Sequence, residues 1–253
     1  MMRPLAVVTG ASGGIGSAIA RRLAAGGHDV VVGYGSRRER ADEVVASLDP
    51  GAHVACAVDV TNSASLDALA AVVAERGNSL AVLVNCVGVT RAVPHGDLDG
   101  LDDALFDTIM ATNVRGVFAT IRALAPALRT ARGCVVSISS VAGVTGLGSN
   151  VAYCASKAAV DSMTRSLARA LAPDVRVVSV SPGWVLGEYS AKVPEELLDA
   201  QLAQTPLGRF ATADDVAQAV WAAVALLPLT TGAILPVDGG RPLGRALRGS
   251  TGA

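Results

Sequence analysis

Short apolar runs alternate with longer amphipathic stretches along this chain, and glycine, proline or a capping polar residue marks most of the boundaries. Residues 5–9 form the first apolar run, followed at once by the glycine-rich turn 10–16. Ile19, Ala20, Leu23 and Ala24 then recur at helical spacing until Gly26-Gly27. The same alternation predicts strands at 29–33, 52–58, 80–84, 133–138, 175–180 and 232–238. Between them it predicts helices over 38–48, from the cap Thr61-Asn62-Ser63 through Glu75, around 105–110, in a long amphipathic stretch after Asn113 (Val117, Phe118, Ile121, Leu124, Leu128), and after Tyr153. A further helix runs from its cap at Thr212 to Leu227. The polar segment 91–103 reads as a surface excursion. Residues 184–210 read as a lid, a loop followed by a helix opening near Pro194. Residues 244–253 lack periodicity and read as a mobile tail.

Strands alternating with helices of this length imply right-handed βαβ crossovers and a parallel sheet, with ligands gathering at the carboxyl ends of the strands. No repeat, linker or low-complexity block divides the 253 residues, so residues 1–243 read as one α/β domain. Composition agrees: 51% hydrophobic and 17% charged residues suit strands buried on both faces. A net charge of −1 advertises no nucleic-acid partner. No apolar run is long enough to span a membrane. The four cysteines are scattered without a C-x-x-C pair and the three histidines show no ligand spacing, so no metal is expected and a reducing, cytoplasmic location is.

Three features carry candidate chemistry. Strand, glycine turn and helix in succession place backbone N–H groups and a helix N-terminus where a pyrophosphate could sit; a glycine-rich connection without a ligand is the plain alternative. The second strand runs into Tyr34-Gly35-Ser36-Arg37-Arg38, with no carboxylate before Glu39. Hydroxyl and guanidinium donors there suit a ribose 2′-phosphate, hence NADP(H) over NAD(H), unless the arginines are simply the solvated start of the next helix. Asp59, with Val60 at the end of the third strand, could accept from an adenine amino group. Tyr153 and Lys157 lie four apart on a helix, so they share a face. An ammonium beside a phenol is expected to lower its pKa and ready it for proton transfer.

Taken together, the motifs resemble those of the short-chain dehydrogenase/reductase family from about Leu5 to Leu243. Thr9-Gly10-Ala11-Ser12-Gly13-Gly14-Ile15-Gly16 matches its T-G-x-x-x-G-x-G signature, and Tyr153-Cys154-Ala155-Ser156-Lys157 matches its Y-x-x-x-K. The family serine, thirteen residues before the tyrosine, falls on Ser140 rather than Ser139, and the family asparagine on Asn113. Pro182-Gly183 and Thr231-Gly232…Val237-Asp238-Gly239-Gly240 match its later turns. The resemblance implies a Rossmann-type, doubly wound sheet of seven parallel strands with helices on both faces. It also implies that Ser140 holds a substrate carbonyl, Tyr153 protonates it, Lys157 bonds the nicotinamide ribose, and Asn113 positions a water for proton resupply. The cofactor contacts it implies are Gly10, Ser12, Gly14, Ile15, Gly16, Tyr34, Ser36, Arg37, Arg38, Asp59, Val60, Asn85, Gly88, Tyr153, Lys157, Pro182, Gly183 and Val185.

Two departures stand out. Asn85-Cys86-Val87-Gly88 replaces the family's Asn-Asn-Ala-Gly, and Gly187 replaces a threonine that contacts the nicotinamide carboxamide, for which Ser190 could substitute. Tyr34-Gly35-Ser36 and Pro206-Leu207-Gly208-Arg209 look most like 3-oxoacyl-(acyl-carrier-protein) reductases. The expected activity is therefore NADPH-dependent reduction of a ketone, with β-ketoacyl or polyketide-type substrates, on a carrier protein or as a CoA thioester, as the leading class. Trp184 and Tyr189 would line the substrate side, and Arg129, Arg132 and Arg169 are candidates to dock an acidic carrier near the site mouth. A secondary-alcohol or sugar dehydrogenase and a non-catalytic dinucleotide-binding protein remain the alternatives. The resemblance further implies a homotetramer or homodimer.

Overall fold

The computed structural model describes residues 3–187 and 190–244. The first strand, β1 (Leu5–Thr9), is buried along its whole length, and it lies in the interior of a parallel sheet. β2 (Asp29–Tyr34), β3 (Val54–Ala57), β4 (Leu80–Asn85), β5 (Cys134–Ile138), β6 (Arg176–Pro182) and β7 (Ile234–Val237) complete it in the order β3-β2-β1-β4-β5-β6-β7. Every pairing is parallel. The order reverses between β1 and β4, the switch point at which doubly wound sheets open a crevice.

Alternate residues of the strands feed two apolar layers, as the two-residue period requires. Val8, Val32, Val84, Val136 and Val180 pack with α1 (Gly14–Ala25), α2 (Arg38–Ala46) and α9 (Ala213–Trp221). Val7, Val31, Leu83, Val135 and Val177 pack on the other face with α3 (Ser63–Glu75), α5 (Gly116–Ala131) and α7 (Val151–Leu171). α4 (Asp103–Met110), the single turn α6 (Ala142–Thr145) and α8 (Glu195–Ala203) lie in the connections. The four cysteines are free. Among the described residues no helix is long and apolar enough to cross a membrane.

Element order and the capped starts follow the sequence pattern. Asn62 caps α3 with its side chain, and Thr212 and Asp215 form a reciprocal capping box on α9. One expectation changes. The helix around residue 105 and the long helix after Asn113 are not separate, because α4 runs into α5 through a π-helical turn, Ala111–Arg115, whose flanking residues all keep helical angles. Such turns insert one extra residue into a helix and so re-aim the side chains within them; here the inserted turn contains Asn113. The expected tail falls outside the described residues beyond Gly244.

Candidate active site

All seven strands point their carboxyl ends to one edge, and the sequence-predicted residues gather there. The turn after β1 follows directly from its glycines. Gly10 takes φ +67° and abuts the Cys86 carbonyl, and a Cβ on Gly16 would sit 2.3 Å from the Gly10 carbonyl oxygen, so only glycine lets α1 start this close to the strand. No side chain caps α1 and no acidic residue occupies its first turn, although α3, α7 and α9 are all capped by side chains. Its N-terminal N–H groups thus carry no side-chain cap, which fits an anionic pyrophosphate. Ser12 is buried within the turn and Ile15 packs on the core below it.

The two arginines after β2 separate. Arg37 reaches back over the glycine turn, with its guanidinium nitrogens 3.7–3.9 Å from where a Gly13 Cβ would lie. Arg38 turns along α2 and pairs with Asp42 at 3.5 Å, the solvated helix start that the sequence left open. Ser36 is exposed in the same loop, whereas Tyr34 is buried in the core cluster. After β3, Asp59 is exposed and accepts from both the backbone N–H (2.8 Å) and the hydroxyl (2.7 Å) of Thr61, which holds its carboxyl below the usual range. The Val60 side chain packs against Gly116 at the start of α5. Asn85 donates from Nδ2 to Ser137 on β5 at 3.4 Å, tying the two strands, and its Oδ1 has no partner among the described residues.

The proton-transfer candidates come from three segments. Ser139 and Ser140 leave β5 in different directions. Ser139 Oγ donates to the Lys157 carbonyl (3.3 Å), while Ser140 Oγ accepts from Ala142 N–H (3.2 Å) and acts on the Tyr153 phenol in the direction that lowers its pKa. Lys157 is buried; its Nζ donates to the Ile138 carbonyl at 2.8 Å and lies 5.6 Å from the Tyr153 ring centre. Burial pulls the Lys157 ammonium down to about 8. Tyr153 is not lowered, contrary to the expectation from its spacing to Lys157. Burial raises it and Ser140 only partly opposes that, because the Lys157 ammonium is turned to Ile138. Cys86, in the place of the family's second asparagine, is a neutral thiol, pushed up to about 12 by burial beside Lys157.

Asn113 is buried in the π turn. Its Oδ1 accepts from Val89 N–H (2.8 Å), and its Nδ2 donates to the Val89 carbonyl (3.0 Å) and to Ser156 Oγ (3.1 Å). Gly88 brings it near the lysine: one point beside Gly88 is 3.7 Å from both Asn113 Oδ1 and Lys157 Nζ. At the end of β6, Val141 N–H donates to the Pro182 carbonyl, and Val185 makes a parallel bridge with Ala211. Trp184 packs its ring on Phe210 with centres 6.2 Å apart. Gly187 has open space beside it, and Ser190 spends its hydroxyl on the Gly187 backbone, so it does not stand in for the family threonine. Tyr189 lies outside the described residues. Arg129 and Arg132 end α5 and Arg169 ends α7, so chain direction places all three at the opposite edge of the sheet from Ser140. They do not border the site mouth. Among the described residues no group of His, Cys, Asp or Glu could hold a metal ion.

The family model described as enoyl-(acyl carrier protein) reductase matches residues 10–241. A Streptomyces violaceoruber protein named for ketoacyl reduction in the granaticin polyketide synthase is 38% identical over 247 residues, 95% of this chain and 96% of the relative. The chain belongs to the short-chain dehydrogenase/reductase family. A 3-oxoacyl-(acyl-carrier-protein) reductase of Staphylococcus aureus is 35% identical over 94% of this chain and 98% of its own. A solved short-chain dehydrogenase/reductase from Brucella melitensis superposes with a TM-score of 0.87 at 30% identity, covering 95% of this chain and 99% of that one. Membership makes the chain an oxidoreductase and implies a nicotinamide dinucleotide as its cofactor.

One residue of the site escaped the sequence reading as a functional candidate. Asn150, buried, caps α7 by accepting from Tyr153 N–H at 2.7 Å, and its Nδ2 donates to the Arg91 carbonyl (2.7 Å) and to Thr90 Oγ1 (3.3 Å). It therefore fixes both the turn that carries Tyr153 and the loop beside it; the signal was an Asn directly before a helical run. Asn150→Ala is expected to lower stability by about 1–3 kcal/mol in urea denaturation and to depress turnover. Asn150→Asp should restore the cap but not the loop, recovering only part of both.

Proposed function

We propose that this protein is an NADPH-dependent ketone reductase, with β-ketoacyl thioesters as its leading substrate class. The observation that carries the reading is the Ser140–Tyr153–Lys157 group at the strand ends beside the uncapped glycine turn. A nicotinamide dinucleotide held there would supply the hydride for the carbonyl carbon. Ser140 holds the carbonyl oxygen and Tyr153 gives it a proton. The burial that raises Tyr153 keeps it a neutral phenol at physiological pH, the form a reductase needs. Lys157, still largely an ammonium below about 8, bonds the nicotinamide ribose and offsets the charge left on Tyr153, and Asn113 positions the water that returns a proton. The glycine turn cradles the pyrophosphate, while Arg37 and Ser36 take the 2′-phosphate.

Residues 184–210 serve as the lid, its two ends tied by the Val185–Ala211 bridge and by the Trp184–Phe210 ring contact. Val144 and Leu147, between Ser140 and Tyr153, and Leu186, just after Gly183, are exposed apolar residues, which supports an acyl chain rather than a polyol. The names of the granaticin and Staphylococcus aureus relatives support the same class. A second reading, oxidation of a cyclic secondary alcohol, is favoured by a cis-4-hydroxycyclohexanecarboxylate dehydrogenase of Sinomonas cyclohexanicum, 37% identical over 93% of this chain and 95% of its own. The protein acts as a homotetramer or homodimer, supported by Phe106, Phe118 and Val151 half-exposed on α4, α5 and α7. Its four free cysteines support a cytoplasmic setting.

NADPH consumption against a panel of ketones that includes a β-ketoacyl thioester, with NADH alongside, tests the reading. Tyr153→Phe should lose about 10²–10⁴-fold in turnover and keep its NADPH affinity; a retained rate refutes the assignment. Arg37→Ala should weaken NADPH about 10–100-fold and leave NADH unchanged, while Arg38→Ala changes neither strongly. Equal losses for both cofactors would sink the NADP preference. Light scattering should give two or four subunits, with Phe118→Glu shifting the mass downward; a wild-type monomer contradicts the assembly.

A further inference from the structure

Three residues of α7 share one buried face at four-residue spacing: Tyr153, Lys157 and Asp161. The first two have roles in the reading above, and the third has none. Asp161 is only 3% exposed. Its Oδ1 accepts from Ser179 Oγ on β6 at 3.3 Å, long for a hydrogen bond to a carboxylate, and its Oδ2 has no partner among the described residues. Arg165, exposed on the next turn, donates to the main-chain carbonyl of Asp161 (3.3 Å) rather than to the carboxylate. A carboxylate buried with so little hydrogen bonding opposes folding, so packing and stability do not account for it.

One turn away, Lys157 has the complementary deficit. It is 6% exposed, and its Nζ donates to the neutral Ile138 carbonyl. The titratable groups facing it are the Tyr153 phenol on its own helix, the Cys86 thiol from the turn after β4 and the Asp161 carboxylate; the amide of Asn113 approaches from the π turn. Burial raises both Tyr153 and Cys86, which keeps each neutral at physiological pH. No direct ion pair joins Lys157 to Asp161 among the described residues.

We propose that Asp161 is a positioning residue for the active site: a buried counter-charge that, from one helical turn away and without touching it, holds Lys157 as an ammonium. The inference rests on the reading of Lys157 as the active-site cation. The sign is set by electrostatics, because a carboxylate at this distance favours the charged lysine against the desolvation that pulls it to about 8. Neutralising Asp161 therefore lets Lys157 fall toward neutrality, and the ammonium is lost from the alkaline side first.

The chain contains two lysines, Lys157 and Lys192, so labelling with lysine carrying ¹³C at Cε gives two resonances, and Lys192→Arg assigns them. In the wild-type protein the Lys157 resonance should titrate near 8. In Asp161→Asn and in Asp161→Leu its midpoint should drop by about one pH unit, with thermal stability unchanged or raised. Ser179→Ala, which removes the hydrogen bond and keeps the charge, should leave the midpoint where it is. The alkaline limb of kcat should move down with the resonance in both neutral variants. An unshifted Lys157 midpoint in the two Asp161 variants, or a shift of equal size in Ser179→Ala, overturns the proposal. Lys157→Met separates the two readings: full turnover in that variant overturns the active-site assignment, whereas an inactive Lys157→Met with unshifted Asp161 variants overturns the counter-charge alone.

Discussion

A lysine ammonium is buried here against the end of a parallel strand, and much of the local structure serves to make that tolerable. An isolated buried charge is strongly disfavoured unless it is bonded or paired. At the end of β5 the Ile138 carbonyl accepts from Lys157 Nζ. The next residue, Ser139, returns a bond to the Lys157 carbonyl and locks α7 against the strand. Asn150 and Ser156 then tie the first turn of α7 to the 90s loop and to Asn113, so the helix that carries Tyr153 has little freedom to shift.

The sheet supplies the second constraint. Parallel strands can be joined only by crossovers, so every strand leaves the sheet at the same edge. That geometry brings the glycine turn after β1, Arg37 after β2, Gly88 after β4 and Ser140 after β5 to one crevice, although they are scattered over the first 140 residues. It also sends the ends of α5 and α7 to the far edge, taking Arg129, Arg132 and Arg169 away from the mouth.

The fold was largely legible from the chain because it is written in local signals. Continuous apolar runs for two-sided burial, glycines where backbone must approach backbone, and Asn62 or Thr212 before a helix each act over a few residues. Asn113 shows where that legibility stopped. The pattern predicts a helix start there, whereas the chain runs helical through it, and the π turn carries its bonds to Val89, twenty-four residues earlier, and to Ser156, forty-three residues later. Arg37 and Arg38 are chemically identical neighbours, and only the folded turn sends one over Gly13 and the other to Asp42.

The sequence by itself determined the order of elements, the parallel sheet, the cofactor turn and the spacing of Tyr153 to Lys157, since periodicity and motif spacing are properties of the chain. The tertiary structure decided the protonation of those same residues. Spacing on a helix predicted a phenol made more acidic by its lysine, whereas the folded site leaves Tyr153 raised, Lys157 lowered and Asp161 buried beside them. Desolvation sets both shifts, opposed by Ser140 at Tyr153 and by Cys86 and Asp161 at Lys157, and such groups meet only when the strands and α7 pack together.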